Sequence, residues 1–347
     1  MNLFFAALFI SLQAGVFPPP CNPEPVVKEV QVRRREITVS IIGPDRPALP
    51  TDSKGPTVDR CFNYWKKAMD REIANKPDLV VLPEGVDSWL GMTPAGKRDW
   101  VKKRGNLLLE KFRAYAREHS CYLVFNSYRQ KSDGGQCNTS YMIDREGDVI
   151  AVYDKVYPTP KEIEWEEFPI SPGLKPVVVD TDFGRVGFVT CFDLNFEDLR
   201  EEYRKLAPDV LCFCSAYSGD FWQRVWSYGC GCHLVAATVG KLSKDISGPS
   251  GEALFHFHDY FQTATAKINT NCTVCHLDGN RPKIQAAIAK YGPRFQFRSP
   301  GAVGCVTLFS TDPALDIMDV VREFDIELWP DYYSRSQSTR LKAILGR

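Results

Sequence analysis

A cysteine at a predicted turn between a strand and a helix is the first residue of this 347-residue chain that could do chemistry. The apolar run 186–190 predicts a buried strand, and residues 196–206 have the spacing of an amphipathic helix, so Cys191 stands at the turn between them. Backbone N–H groups at such a turn can lower a thiol pKa and bind a developing oxyanion. The pattern therefore indicates a thiol nucleophile, with a buried structural cysteine as the alternative.

Two charged residues also follow predicted strands. Glu84 follows the apolar run 79–82 and a proline, and Lys155 follows the strand predicted over 149–153. Strand ends gather site residues in α/β sheets, although a solvated surface residue is the alternative for each. A carboxylate can take the proton of the thiol, while an ammonium and the backbone N–H of Phe192 can stabilise an oxyanion. This combination predicts attack on an electrophilic carbon, with Glu84 as general base and then general acid.

Three short motifs carry a resemblance to a known family. They are Leu82-Pro83-Glu84, Asp154-Lys155-Val156-Tyr157-Pro158-Thr159 and Gly187-Phe188-Val189-Thr190-Cys191-Phe192-Asp193-Leu194-Asn195-Phe196. In this order they resemble the nitrilase, or carbon–nitrogen hydrolase, superfamily over about residues 36–309. The resemblance implies an α/β fold of the four-layer αββα sandwich type and a catalytic triad of Glu84, Lys155 and Cys191. It also implies that Glu162, seven positions after the lysine, orients the substrate.

The residues around the cysteine narrow the expected substrate. The run Cys191-Phe192-Asp193 resembles amidase-type members, whereas true nitrilases usually carry Trp and then Glu after the cysteine. We therefore expect amide or carbamoyl hydrolysis of a small molecule, with nitrile hydrolysis or a non-enzymatic protein of the same fold as alternatives. Tyr217 and Trp222 are candidate pocket residues. The family often forms dimers or larger assemblies, so the resemblance also implies a homo-oligomer.

One motif suggests a different function. The run Cys272-Thr273-Val274-Cys275-His276 has the CxxCH spacing of covalent haem attachment, which makes a haem-binding protein a rival hypothesis. Residues 273–277 also have the pattern of a half-buried strand, and haem ligation would require that strand to unravel. The sequence therefore predicts no cofactor. It also predicts no metal site, because the cysteine pairs near residues 212–214 and 230–232 lie in or beside apolar segments that suit buried thiols.

Composition limits the class of partner. The chain carries 43 Lys and Arg against 43 Asp and Glu, so it lacks the positive charge that nucleic-acid binding requires. Strands alternate with helices and hairpins without a clear linker, which favours one α/β domain built in layers. A small molecule is the expected partner.

The N-terminus has the features of a targeting segment. Residues 3–12 form an uncharged apolar run that fits a secretory signal peptide over residues 1–14, with cleavage after Ala14. We expect a secreted or periplasmic protein, or a cytoplasmic one if the start of the chain is misassigned. A Pro-rich linker is predicted over 15–35 and the hydrolase domain over 36–347, ending in a helical extension. No later segment is long and apolar enough to span a membrane.

Overall fold

The structure is a computed structural model, and it describes residues 24–257, 260–299 and 304–346. The predicted signal peptide and the first part of the predicted linker lie outside these residues. Within residues 24–35 the chain forms no helix or strand.

Strands and helices alternate through most of the described chain. The strands are β1 (Glu36–Ile42), β2 (Leu79–Val81), β3 (Tyr122–Gln130), β4 (Gln136–Ile143), β5 (Val149–Asp154), β6 (Val178–Thr181), β7 (Gly184–Thr190), β8 (Val210–Ser215), β9 (His233–Thr238), β10 (Lys244–Ser247), β11 (Ala253–Phe257), β12 (Thr263–Asn269), β13 (Cys272–His276), β14 (Phe295–Arg298) and β15 (Cys305–Ser310). The α-helices are α1 (Val58–Met69), α2 (Pro94–Arg104), α3 (Leu107–His119), α4 (Pro160–Ile163), α5 (Glu197–Leu206), α6 (Phe221–Cys230), α7 (Arg281–Tyr291), α8 (Ile317–Glu323) and α9 (Trp329–Leu345).

Two six-stranded sheets form the centre of the molecule. Their strand orders are β12-β1-β2-β3-β4-β5 and β11-β10-β9-β8-β7-β6. In the first sheet β1, β2 and β3 run parallel, and in the second β7, β8 and β9 run parallel. Antiparallel strands extend both sheets on either side. Each sheet therefore presents the carboxyl ends of several strands at one edge, where site residues gather in α/β folds.

The sheets and helices pack in four layers. Apolar side chains of both sheets, such as Val81 and Phe188, form the central core between them. Helices α1 and α3 pack Trp65 and Phe112 against the outer face of the first sheet. Helices α5 and α6 pack Tyr203 and Trp226 against the outer face of the second. The predicted αββα sandwich is confirmed.

Some elements differ from those that the sequence predicts. The sequence pattern predicts one helix over 99–119, but the chain forms α2 and α3, separated at Gly105, whose φ of +48° cannot continue a right-handed helix. The pattern also predicts hairpin strands over 253–257 and 263–268. Instead β11 lies at the edge of the second sheet and β12 at the edge of the first, because each pairs with a strand distant in sequence.

The region after β12 adds a small third sheet of order β13-β15-β14, with α7 and α8 packed on it. The sequence predicts one strand here, over 273–277, and a helical extension after it, but not the other two strands of this sheet. The strand expected near residues 273–277 is β13, in which Cys275 is fully buried and the ring of His276 stacks on Tyr332 at 4.3 Å. Haem attachment at Cys275 would require β13 to leave its sheet. Helix α9 follows and buries none of its residues.

The described part of the chain contains only free thiols, eleven in number. Cys212 and Cys214 both point into the core between the sheets, because residues two apart on a strand share a face. Among the described residues, no helix has the length and apolar composition needed to cross a membrane.

Candidate active site

The three residues expected to form a triad meet at one edge of the sandwich. Glu84 follows β2 and Lys155 follows β5 in the first sheet, while Cys191 follows β7 in the second. Lys155 Nζ donates a hydrogen bond to Glu84 Oε1 at 3.0 Å. The Cys191 thiol lies beside the same carboxylate, whose charge adds to burial in raising the pKa of the thiol. Face-to-face packing of the two sheets thus brings together residues that are 107 positions apart in sequence.

Glu162 lies in the same cluster, as the sequence predicts. Lys155 Nζ donates to Glu162 Oε2, also at 3.0 Å. The single turn of α4 positions this carboxylate, because the Thr159 amide donates to Glu162 Oε2 at 2.8 Å while the Glu162 amide donates to Thr159 Oγ1 at 3.2 Å. The side chain of the lysine is 1% exposed, and those of the two glutamates are 7% and 11% exposed. One buried cation therefore holds two buried carboxylates.

Sequence reasoning missed the groups that orient Glu84. Asn138 Nδ2 donates to Glu84 Oε1 at 2.8 Å and to Glu162 Oε1 at 3.3 Å, and the Ala216 amide donates to Glu84 Oε2 at 3.0 Å. Asn126 in turn donates to Asn138 Oδ1 at 2.8 Å. Both asparagines lie on strands whose other residues are largely buried, and a buried amide side chain needs partners. These two asparagines interrupt the apolar pattern of buried strands, and this interruption could have identified them from the sequence.

Asp193 ties the cysteine turn to the lysine loop. Its carboxylate accepts hydrogen bonds from the Thr190 amide at 2.9 Å, the Tyr157 amide at 2.7 Å and the Tyr153 hydroxyl at 2.7 Å. Burial raises the pKa of Asp193 to about 6, and these three donors partly offset that rise. The sequence placed Asp193 in the cysteine motif without giving it a role. The structure gives it a positioning role, because it links segments from both sheets.

The backbone at the nucleophile position is strained. Cys191 has a φ of +48°, a left-handed conformation that is unfavourable for a residue with a side chain. It begins a 3₁₀ turn, Cys191–Asn195, and the N–H of Phe192 lies in the first turn, where an amide has no acceptor within the helix. Trp226 on α6 supports this turn by donating from Nε1 to the Leu194 carbonyl at 2.7 Å.

The two candidate pocket residues lie in different surroundings. The Ser215 hydroxyl lies beside the Cys191 thiol and donates to the Tyr217 carbonyl at 2.6 Å. Tyr217 therefore follows the site directly, and it is 38% exposed. Trp222 is half-buried and packs against the core beneath the second sheet. A pocket role for either residue stays a prediction.

The charges of the cluster shift its pKa values in opposite directions. Burial by itself would raise the pKa of Glu84, but the adjacent Lys155 and Arg46 outweigh burial and lower it. Burial would lower the pKa of Lys155, but Glu84, Cys191 and Glu162 outweigh it and raise the value. For Cys191, burial and then the charge of Glu84 both raise the pKa. The resting cluster therefore consists of an ionised carboxylate beside a neutral thiol and a permanently charged lysine.

Similar proteins were found at the levels of family, sequence and fold. A sequence profile described as Carbon-nitrogen hydrolase matches residues 41–229, more than half of the chain. The Caenorhabditis elegans nitrilase and fragile histidine triad fusion protein NitFhit is 27% identical over 170 residues, which are 46% of this chain and 38% of that protein. Human omega-amidase NIT2 is 27% identical over 173 residues, 48% of this chain and 59% of that protein.

Comparison with solved structures agrees with the sequence comparison. The crystal structure of an amidase from Nesterenkonia sp. matches with a TM-score of 0.56 at 16% identity, covering 70% of this chain and 92% of that one. The aligned part spans about half the length of the two relatives above. Because the family profile covers most of the sandwich and all three motifs, the chain belongs to the carbon–nitrogen hydrolase family, the nitrilase superfamily, and resembles its amidase-type members.

Proposed function

We propose that this protein hydrolyses the amide C–N bond of a small molecule through a thioester on Cys191. The observation that carries the proposal is the buried Lys155 ammonium, hydrogen-bonded to two carboxylates, one of which raises the pKa of the neighbouring thiol. A buried ion cluster of this kind is expensive for a fold to maintain unless its geometry serves a purpose. The similarity to amidases supports the same reaction class.

In the first half-reaction, the Cys191 sulfur attacks the amide carbon as the thiol proton moves to Glu84. The raised thiol pKa and the lowered carboxyl pKa define the resting state: the proton lies on sulfur and Glu84 is free to accept it. The new C–S bond produces a tetrahedral oxyanion. Glu84 then gives the proton to the amide nitrogen, the C–N bond breaks, and ammonia or an amine leaves.

In the second half-reaction, water replaces the departed amine. Glu84 takes a proton from water, the resulting hydroxide attacks the thioester carbon, and the C–S bond breaks. The proton on Glu84 returns to sulfur, which restores the thiol and releases a carboxylic acid. The same carboxylate therefore acts as base and acid in both halves, and Asn138 and the Ala216 amide keep its two oxygens in place.

Lys155 and the Phe192 amide are the proposed oxyanion donors. Lys155 stays charged throughout, because its raised pKa prevents it from losing a proton at neutral pH. The Phe192 N–H has no acceptor within its own turn, so it can donate to the substrate. Fixed donors in a buried site stabilise developing charge more than water does. Glu162 holds the other side of Lys155 and is proposed to orient the leaving amine.

Ammonia release from a small panel tests the proposal. Propionamide, succinamate, N-carbamoyl-β-alanine and propionitrile are incubated with the wild-type protein and with Cys191→Ala. We expect the wild type to release ammonia from an amide or a carbamoyl compound and the variant to release none.

Cys272→Ala is the matched control, because Cys272 is another half-buried thiol and lies at a distance in the third sheet. It is expected to keep full turnover. Undiminished release by Cys191→Ala would sink the assignment of the nucleophile. Release from propionitrile alone would favour the nitrile alternative.

A further inference from the structure

Two cations lie beside the candidate active site without a carboxylate of their own. Arg46 is on the loop after β1, and its Nη2 donates to the carbonyl oxygen of Glu84 at 3.0 Å. Lys97 is on α2, and its Nζ donates to the hydroxyl of Tyr128 at 3.1 Å. Among the salt bridges of the described residues, neither Arg46 nor Lys97 takes part in one. Both side chains are half-buried, so their charges are not simply solvated.

The guanidinium of Arg46 is incompletely satisfied. Its Nε is buried and has no hydrogen-bond partner in the described residues. A buried donor without an acceptor is destabilising, and more so when the group is charged. Within the described part of the chain, the hydrogen bond that fixes this side chain is made to the backbone of Glu84. The arginine is therefore held next to the proposed general base with donor capacity left over.

Lys97 is held by aromatic rings. Its Nζ lies 4.7 Å from the ring centre of Tyr128 and 4.5 Å from that of Trp165, which follows Glu162 by three residues. Cation–π contacts of this kind compensate partly for lost water but supply no negative charge. Burial and then the positive charge of Arg46 lower the pKa of Lys97 to about 8, although Asp87, Glu84 and Glu162 act in the opposite direction.

The charge balance of the site is positive when these residues are included. Glu84 and Glu162 carry two negative charges and share Lys155, and Asp87 is paired with Arg104 at 2.7 Å. Arg46 and Lys97 then add two further positive charges that repel each other. The two cations therefore exceed the remaining negative charge of the cluster by one, and a buried excess charge is unfavourable unless something negative joins it.

We propose that this site takes amides that carry a carboxylate, and that Arg46 and Lys97 bind that carboxylate. The inference rests on the proposed function, because it names the substrate class of the same site. Arg46 offers the donor left over at Nε, and Lys97 offers a charge that can turn from Tyr128 to the ligand. Charged hydrogen bonds of this kind favour the anionic substrate over a neutral analogue.

Two matched pairs of amides test the preference. Succinamate is compared with levulinamide, in which a methyl group replaces the carboxylate oxygen, so that the charge is on the acyl side. N-acetyl-β-alanine is compared with N-butylacetamide, so that the charge is on the amine side. For at least one pair, we expect the wild type to prefer the anion by about 10- to 100-fold in kcat/KM. Equal kcat/KM within both pairs would overturn the inference.

Variants of α2 assign the preference to Lys97. Lys97→Met is expected to reduce the ratio of anionic to neutral kcat/KM by about 10-fold or more, and Lys97→Arg to keep most of it. Lys102→Met is the matched control, because it removes the same charge from an exposed position on the same helix. A ratio that falls equally in Lys97→Met and Lys102→Met, or in neither, contradicts the inference.

The pH dependence of kcat/KM distinguishes binding of the substrate by Lys97 from a purely structural role of this residue. Lys97 is charged below pH 8 and loses its charge above it, so kcat/KM for the anionic amide should fall above pH 8 relative to the neutral one. In Lys97→Met that relative fall should vanish.

Binding separates this inference from the proposed function. Calorimetry with Cys191→Ala protein measures binding of succinamate and N-acetyl-β-alanine without turnover. If adding Lys97→Met to the Cys191→Ala protein abolishes binding, the inference is supported, even if the wild type hydrolyses no amide. Absence of hydrolysis would refute the proposed function alone. Turnover of neutral amides with no binding of either anion would refute the inference and leave the function intact.

Discussion

At the scale of the residue, the account depends on where one proton lies in the resting site. Glu84 has a lowered pKa because Lys155 and Arg46 outweigh burial, and Cys191 has a raised pKa because burial and Glu84 act together. The pair is therefore a neutral thiol and a carboxylate rather than a thiolate and a lysine ion pair. In the proposed mechanism, proton transfer to Glu84 therefore accompanies the attack instead of preceding it.

The pH profile follows from the lowered pKa of Glu84. A glutamate of ordinary pKa would become protonated as pH falls through about 4–5 and would stop acting as a base. Because the folded-state pKa is depressed, Glu84 keeps its charge through that range. For a neutral amide, kcat/KM should thus show no limb with a midpoint near pH 4.5 wherever circular dichroism shows the protein folded, whereas a limb near pH 6 would report Asp193. A limb with a midpoint near 4.5 would contradict this assignment.

Replacing Lys155 should destabilise the fold as well as stop catalysis. Lys155→Met leaves Glu84 and Glu162 buried without their shared cation, and breaking a buried pair by removing one partner costs about 3–5 kcal/mol. Urea unfolding at pH 7 measures the loss. Lys267→Met is the control, because its exposed pair with Glu36 at 2.8 Å should contribute less than about 1 kcal/mol. Equal losses of unfolding free energy in the two variants would contradict the expected cost of leaving Glu84 and Glu162 buried without a cation.

At the scale of the element, strand ends and short turns position the site. β2, β5 and β7 each deliver one triad residue, and the single turn of α4 delivers Glu162. Strand β7 packs closely against α5 and β8: a Cβ on Gly187 would lie 2.8 Å from Leu211 Cδ2 and 2.9 Å from Tyr203 Cε1. Asp193 joins the turn after β7 to the loop after β5. The geometry is therefore built by contacts between elements.

The left-handed backbone of Cys191 gives a prediction about stability. Alanine at a φ of +48° is strained by about 1–2 kcal/mol, whereas glycine is not, although glycine costs more chain entropy. Cys191→Gly should therefore unfold with a free energy roughly 0.5–1 kcal/mol higher than Cys191→Ala. Ala236→Gly, within β9, should instead have a lower free energy of unfolding than the wild type. A less stable Cys191→Gly would show that the turn relaxes in the absence of the sulfur.

The sequence predicted the elements that carry the site better than those that support it. Apolar runs beside Glu84, Lys155 and Cys191 marked β2, β5 and β7, since buried strands have a local signature. Asn138, Arg46 and Lys97 escaped notice because their roles depend on contacts with segments distant in sequence. The separation of α2 from α3 at Gly105 and the division of β11 and β12 between sheets escaped for the same reason. Local periodicity does not report which strands pair.

At the scale of the whole molecule, two similar halves pack face to face through their sheets. Each large sheet places parallel strands at its centre and antiparallel strands at its edges, and each is covered by helices on its outer face. The site forms only where the two sheets meet, so it requires the complete sandwich. The predicted homo-oligomer and the predicted export stay predictions, which light scattering and N-terminal sequencing of the mature protein can check.

The second half of helix α9 should contribute little to the stability of the sandwich. The helix buries none of its residues, and its contacts with the rest of the molecule lie near its start, where Trp329 and Tyr332 stack on His276. Deleting residues 337–347 should change the free energy of unfolding by less than about 0.5 kcal/mol, whereas Trp329→Ala should lower it measurably. Thermal and urea unfolding check both. A large loss on deletion would mean that the second half of α9 is covered in solution.

Trapping the intermediate tests the central claim most directly. The wild-type protein is mixed with an intact amide that it hydrolyses in the panel assay. The reaction is quenched in acid within the first turnovers, and the protein is analysed by intact-protein and peptide mass spectrometry. The account predicts a mass increase equal to the acyl group on the peptide containing Cys191, and no such adduct in Cys191→Ala. Turnover without any adduct on Cys191, or an acyl group on another residue, would contradict it.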